Sequence, residues 1–298
     1  MWRCTGLRWR EEGARWTWWH PGHGVRASPV RVGDALTLAV GAEAVRRCVG
    51  VWRAGRWTAC PYGAELRPEA RRDQCEGCAA LDRASSVAAD TRADDPRPYA
   101  VYLAYFGPGL HKVGITAVAR GRARLLEQAA VCFAFLGEGP LMTARRTEAV
   151  LGAALRIPDR VTDAAKRAAR YDLPPAAERA AEVRSLHAEV TDRQARLPES
   201  LRLRPFAVVD HADLFGLAGQ PPAPAAAVTA LPPGCALTGT VVAVAGHDVH
   251  VVTPEGAHLL LDARLAAGWT LQRAPGQASF GPPTAPLRPR ETAPPPLF

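Results

Sequence analysis

The stretch from Cys48 to Cys78 is the feature that most constrains what this chain can fold into. It is rich in turn formers (Gly50, Gly55, Pro61, Gly63, Pro68) and poor in hydrophobic periodicity, so it cannot build a core by itself. Four cysteines run through it, Cys48, Cys60, Cys75 and Cys78. The last pair, Cys75-Glu76-Gly77-Cys78, is a knuckle that lets two thiolates meet one tetrahedral ion, with Gly77 easing the turn. Cys48 and Cys60 complete the set. Four thiolates and no water make a closed, structural zinc site rather than a catalytic one. Such an ion contributes on the order of 10 kcal/mol to folding of a loop-rich segment. Cys4 is an alternative ligand, and His20 and His23 are further donors. The competing reading is four metal-free thiols in a reducing compartment. A thioredoxin-like redox pair fits less well, because Cys75–Cys78 follows a charged loop and not a strand. Cys132 and Cys235 read as plain small residues.

Seven cysteines are an odd number, which argues against a disulfide framework and for the cytoplasm. No apolar stretch approaches bilayer length. Met1–Arg10 has no apolar core followed by a small-residue cleavage site, so neither a secretory signal nor membrane contact is expected. The 298 residues are 48% apolar and 22% charged, as in an ordinary globular protein with room for two domains. A net charge of +8 and a pI near 9.5 favour a polyanionic partner. The bland alternative is the codon bias of a GC-rich genome, since Arg is common and Lys nearly absent.

The expected fold class is α/β in the α+β sense. Residues 1–82 form a β-rich N-terminal region with the zinc knuckle, in which Trp16–Trp19 and Leu36–Val40 are strands. Residues 83–98 are a linker. The unit 99–156 reads strand, strand, helix, strand, helix in a small mixed sheet. Its strands are Tyr99–Phe106, His111–Thr116 and Val131–Leu136. Its helices are Ala119–Ala130 and Met142–Leu155, the second with Val150, Leu151, Ala154 and Leu155 on one face. A helical extension, 157–219, breaks at Pro174-Pro175, and most of its Glu and Arg side chains form a solvated face. A Pro/Ala linker, 220–234, leads to a small β unit, 235–273, and a disordered Pro-rich tail, 274–298.

The 99–156 unit carries the candidate chemistry. Tyr102 lies in its first strand, with Lys112 and Gly114 on one face of the second. Arg124 and Gln128 share a helix face, and Glu148 sits on the second helix. Arginine suits a phosphate in fork geometry. A carboxylate can hold Mg²⁺ together with substrate phosphate oxygens, and a tyrosine can position an attacking water.

Ala100-Val101-Tyr102, then Lys112-Val113-Gly114-Ile115-Thr116, a helix arginine and a glutamate on the next helix resemble the GIY-YIG nuclease superfamily over residues 98–156. The whole chain also resembles an uncharacterised bacterial family, domain of unknown function 2797, which joins a Gln-Cys-x-x-Cys segment like Gln74–Cys78 to this unit. The superfamily resemblance implies a metal-dependent endonuclease acting on DNA. Tyr102 would contact the attacking water, Arg124 the scissile phosphate, and Glu148 one Mg²⁺ or Mn²⁺, with Arg120, Arg122 and Gln128 against nucleic acid. Counting from Gly114 gives Arg122 as the phosphate arginine. The helix pattern gives Arg124, which is preferred because Leu125-Leu126 follow it as packing should. Two departures stand out. The second-motif tyrosine is Lys112, and the histidine often found on the arginine helix is Gln128, which removes a proton carrier. No later asparagine can be placed. The alternatives to an active nuclease are a nucleic-acid-binding protein whose site has decayed and a zinc-stabilised interaction module.

Overall fold

The computed structural model describes residues 1–53, 56–84, 95–158, 160–192, 197–272 and 279–287. Gly55, the central part of the expected linker (85–94) and most of the expected tail (273–278 and 288–298) lie outside them.

The Trp-rich N-terminus folds into three strands, β1 (Arg3–Arg10), β2 (Gly13–His20) and β3 (Gly24–Val30), paired in that order. After them comes β4 (Ala35–Val40). The cysteine segment holds the short hairpin β5 (Val51–Arg53) and β6 (Arg56–Thr58), followed by α1 (Glu76–Ala84). It has too few apolar side chains for more, in line with its composition.

The next sheet is built on β7 (Tyr99–Gly107), buried along its whole length. A nine-residue apolar run is what a strand covered on both faces requires. β7 pairs on one side with β8 (Leu110–Ala117) and on the other with β9 (Cys132–Gly139). The connection from β8 to β9 was expected as one helix over Ala119–Ala130. It is a 3₁₀ turn, Val118–Arg120, and a short α2 (Ala123–Glu127), split at Gly121, whose φ is +47°. α3 (Leu141–Ala154) follows, burying Leu141, Ala144, Thr147 and Leu151; of the expected face, Leu151 is buried and Leu155 packs on the same core, whereas Val150 is half-buried and Ala154 exposed. Then come α4 (Asp163–Ala169) and α5 (Ala176–Asp192), separated by Pro174-Pro175. α5 is not a plain solvated face, because Arg179 is buried against Asp210 at 2.8 Å.

Two short strands, β10 (Arg202–Leu203) and β11 (Val208–Asp210), return to pair with β9. Every pairing in this five-stranded sheet is antiparallel, not mixed as expected. β8 and β9 run alike but sit on opposite sides of β7, so no parallel pair forms.

After α6 (Ala212–Phe215), the last sheet takes β12 (Ala226–Val228), β13 (Ala236–Ala245), β14 (Asp248–Val252), β15 (His258–Asp262), β16 (Leu271–Gln272) and β17 (Thr284–Pro286). Its order is β16-β4-β13-β14-β15-β12-β17, with β12 and β15 parallel. β4 thus leaves the N-terminal region to pair with β13, and β17 forms inside the stretch read as a disordered tail. One large core joins Trp9, Trp16, Leu38, Phe215, Val249 and Trp269 across these parts. No helix among the described residues is long and apolar enough to cross a membrane.

Candidate functional site

The four cysteines come together. The Sγ atoms of Cys48, Cys60, Cys75 and Cys78 lie within 4.8 Å of one another. A tetrahedral ion with bonds of about 2.3 Å sets its sulfurs roughly 3.8 Å apart, and Cys60 and Cys75 are 3.9 Å apart. The donor set therefore fits a metal such as zinc. Three local structures deliver it. Cys48 opens a turn at Gly50, where φ is +80° and an added Cβ would fall 2.1 Å from the Thr58 carbonyl oxygen, so only glycine fits. The backbone N–H groups of Gly50 and Cys75 donate to Cys48 Sγ at 3.4 and 3.2 Å. Cys78 rides on the first turn of α1. Gly77 is ordinary helix there, so Gly50 has the role expected of it. Gln74 Nε2 ties the turn to the helix, donating to the Gly50 carbonyl and the Asp82 carboxylate.

The thiols differ. Burial pushes Cys48 and Cys78 up. Burial also opposes ionisation of Cys60, but N–H groups of Ala64 and Tyr62 outweigh it and bring that thiol to about 7. Hydrogen bonds to sulfur favour the thiolate a metal needs. Cys4 is elsewhere, fully buried in the large core and pushed up to about 12 by that burial. The rings of His20 and His23 lie tilted against each other, 4.5 Å apart, beside Trp2 and outside the cluster.

Of the second set, Tyr102, Lys112, Gly114, Arg124 and Gln128 lie toward one face of β7 and β8. Tyr102 pairs across the ladder with Gly114, and its ring lies flat over that glycine. A Cβ at Gly114 would sit 2.3 Å from the Tyr102 hydroxyl and 2.4 Å from its ring carbon. The phenol thus leans over β8, the edge strand. Tyr102 is 1% exposed, and its oxygen accepts a hydrogen bond from Gln128 Nε2 at 2.9 Å. Burial raises its pKa against the opposing charge of Arg124, so the phenol keeps its proton at neutral pH.

Arg124 is a half-exposed cation 3.6 Å from Glu127. Arg120 binds the same carboxylate at 2.6 Å. Arg122 turns away and donates to the Glu11 carbonyl at 2.8 Å, docking the β1–β2 turn. Of the two candidate phosphate arginines, Arg124 is the one whose charge acts on the Tyr102 phenol. Lys112 lies opposite Ala104, two residues along the face from Gly114. α3 packs on the other face of the sheet, through Leu141, Ala144 and Leu151, and the charge of its half-buried Glu148 acts on the phenol.

One residue beside these that the sequence reading did not single out is Lys166 of α4. Its Nζ donates to the Gln128 carbonyl at 3.1 Å and stands 4.4 Å over the Phe106 ring. The one signal available was rarity: of 37 lysines and arginines, only Lys112 and Lys166 are lysine.

The fold and the cluster define an α+β protein with several sheets and a four-cysteine centre able to take a metal. The chain belongs to the protein family of unknown function DUF2797, whose model matches residues 37–271. No curated protein and no solved structure gives a significant match to it.

Proposed function

We propose that this protein is a zinc-braced, GIY-YIG-type phosphodiesterase acting on DNA in the cytoplasm. The observation that carries the reading is the convergence on the Tyr102 hydroxyl. Gln128 holds it, the Arg124 cation faces it, and Glu148 is within electrostatic reach. With its proton retained, the phenol orients a water by hydrogen bonding rather than by taking a proton. Arg124, half-exposed, binds the scissile phosphate. Glu148 would hold one Mg²⁺ or Mn²⁺, which would supply charge for the leaving oxygen. Lys112 adds a second cation for the nucleic-acid backbone, and zinc in the cysteine cluster fixes the adjoining segment.

The test is cleavage of plain and branched DNA with Mg²⁺ or Mn²⁺ beside a Glu148→Ala variant. Metal-dependent cleavage lost in the variant is expected. Equal cleavage by both proteins would sink the mechanism.

A second reading, DNA binding without cleavage, draws on the burial of Tyr102 and the hydrogen bond its oxygen already accepts. Salt-sensitive binding with no product at any metal concentration would favour it.

A further inference from the structure

The two groups set closest around the Tyr102 hydroxyl, Gln128 and Arg124, offer no proton acceptor near neutral pH. The phenol is held protonated, Gln128 is an amide, and an arginine cannot deprotonate in a protein. Arginine also serves wherever this chain needs a permanent cation, since all but two of its basic residues are arginine. Both lysines are in this one place. A lysine differs from arginine chiefly in being able to lose its proton when buried.

α4 is set there by two devices. Gly107 lets it approach β7 so closely that a Cβ would fall 2.3 Å from the Ala169 Cβ. On its other side, Arg167 and Arg170 bind Asp248 of β14, each at 2.6 Å. Lys166 is thereby held half-buried over Phe106, on the carbonyl of the residue whose side chain holds Tyr102. We infer that Lys166 is the proton-accepting group of this site, held beside Gln128 by its backbone carbonyl. The inference rests on the phosphodiesterase reading above.

The groups facing Lys166 favour the neutral amine. Burial is the largest influence, and Arg170 on its own helix, Lys112 on β8 and Arg124 on α2 all add positive charge. Asp163 opposes them, as does the Phe106 ring face, which favours a cation. The balance brings the amine down to about 8.

In the step, the Lys166 nitrogen takes a proton from water as the water oxygen bonds to phosphorus. The bond from phosphorus to the leaving sugar oxygen breaks with its electron pair, and that oxygen takes a proton from solvent. The ammonium then returns its proton to solvent.

The experiment measures cleavage of DNA with Mn²⁺ from about pH 6 to about pH 10, for the full chain, Lys166→Arg, Lys166→Ala and Lys112→Arg, with DNA affinity measured beside it. The wild-type rate should rise with pH and level off above about 8. Lys166→Arg keeps the charge and cannot accept the proton. It should lose the rising limb and fall roughly 10²–10⁴-fold in rate, with affinity little changed. An intact limb in Lys166→Arg, or a limb lost in Lys112→Arg instead, overturns the inference and leaves the phosphodiesterase reading standing. Absence of wild-type cleavage overturns that reading and the inference with it. Should the variants fail to fold, the wild-type protein labelled with ¹³C-lysine gives only two side-chain signals to follow. A Lys166 signal titrating near 10 would overturn the inference.

Discussion

Gly114 shows how a single residue position shapes this site. The Tyr102 ring occupies the space where any other residue would carry its Cβ. Gly114→Ala should therefore force the ring off β8 and break the 2.9 Å bond from Gln128. Overpacking of this kind costs about 1–3 kcal/mol, readable as a lower denaturant midpoint with an unchanged slope. A variant as stable as the wild type would show that the ring can lie elsewhere. Tyr102, Lys112, Arg124 and Gln128 were legible in the sequence because each sits at a fixed offset within a hairpin or one helical turn. Lys166 was not, because its place depends on α4 crossing β7 at Gly107, a contact with no local pattern. Gly50 was overlooked for a related reason. Its carbonyl-crowded turn is set by β6, while Gly77 stood inside the visible motif.

Among the elements, the cysteine segment and α4 depend on different chemistry. The segment has a core of little more than Cys48, Val51 and Cys78. A metal held by the four cysteines would be its main source of order, on the order of 10 kcal/mol. Removal of metal by a strong chelator should expose Trp52 and Trp57 of the β5–β6 hairpin, seen as a fluorescence change, and release about one zinc per chain. A chelated protein with unaltered fluorescence and melting would contradict this.

α4 is held instead by charge. Asp248 is almost fully buried, and burial alone would raise its pKa, but Arg170 and Arg167 hold it well below the usual carboxylate range. Its folded pKa is depressed, so the stabilisation is complete above about pH 4, the unfolded value, and is lost as pH falls through the folded value. Asp248→Asn should cost about 3–5 kcal/mol at pH 7 because it leaves the buried Arg170 guanidinium uncompensated and Arg167 with only Asp262, at 3.5 Å. The gap between wild type and variant should narrow as the solution is acidified below about pH 4. A gap constant with pH would assign the loss to packing and not to charge. The helices themselves were readable from Pro174-Pro175 and from alanine content. Their anchorage was not, since Arg167 and Asp248 are far apart in the chain.

The whole molecule is interlocked beyond what boundaries drawn along the sequence suggest. β4 pairs with β13, Trp9 Nε1 donates to the Gly246 carbonyl at 2.7 Å, and Arg122 holds the β1–β2 turn. Arg46 is the strongest tie. It is 1% exposed, and its guanidinium donates to the carbonyls of Arg67, Ala70, Arg264 and Ala267 at 2.6–2.9 Å. It thus fastens the cysteine segment to the last sheet. Arg46→Met should leave those carbonyls unpaired at about 1–3 kcal/mol each where no water reaches them, and should lower the melting temperature of the entire chain. The five-stranded sheet is bound in as well. β9 takes β10 and β11 from residues 202–210, and α5 supplies Val190 to the core beneath Val101 and Leu103. Residues 95–158 alone would expose one edge of β9 and the face that α5 covers. That fragment should unfold without a cooperative transition and bind a hydrophobic dye, whereas a chain extended through residue 272 should unfold cooperatively. A cooperative fragment of 95–158 would mean that the sheet is complete without its returning strands. Such a result would favour a sheet that folds by itself over one that folds only as part of the whole.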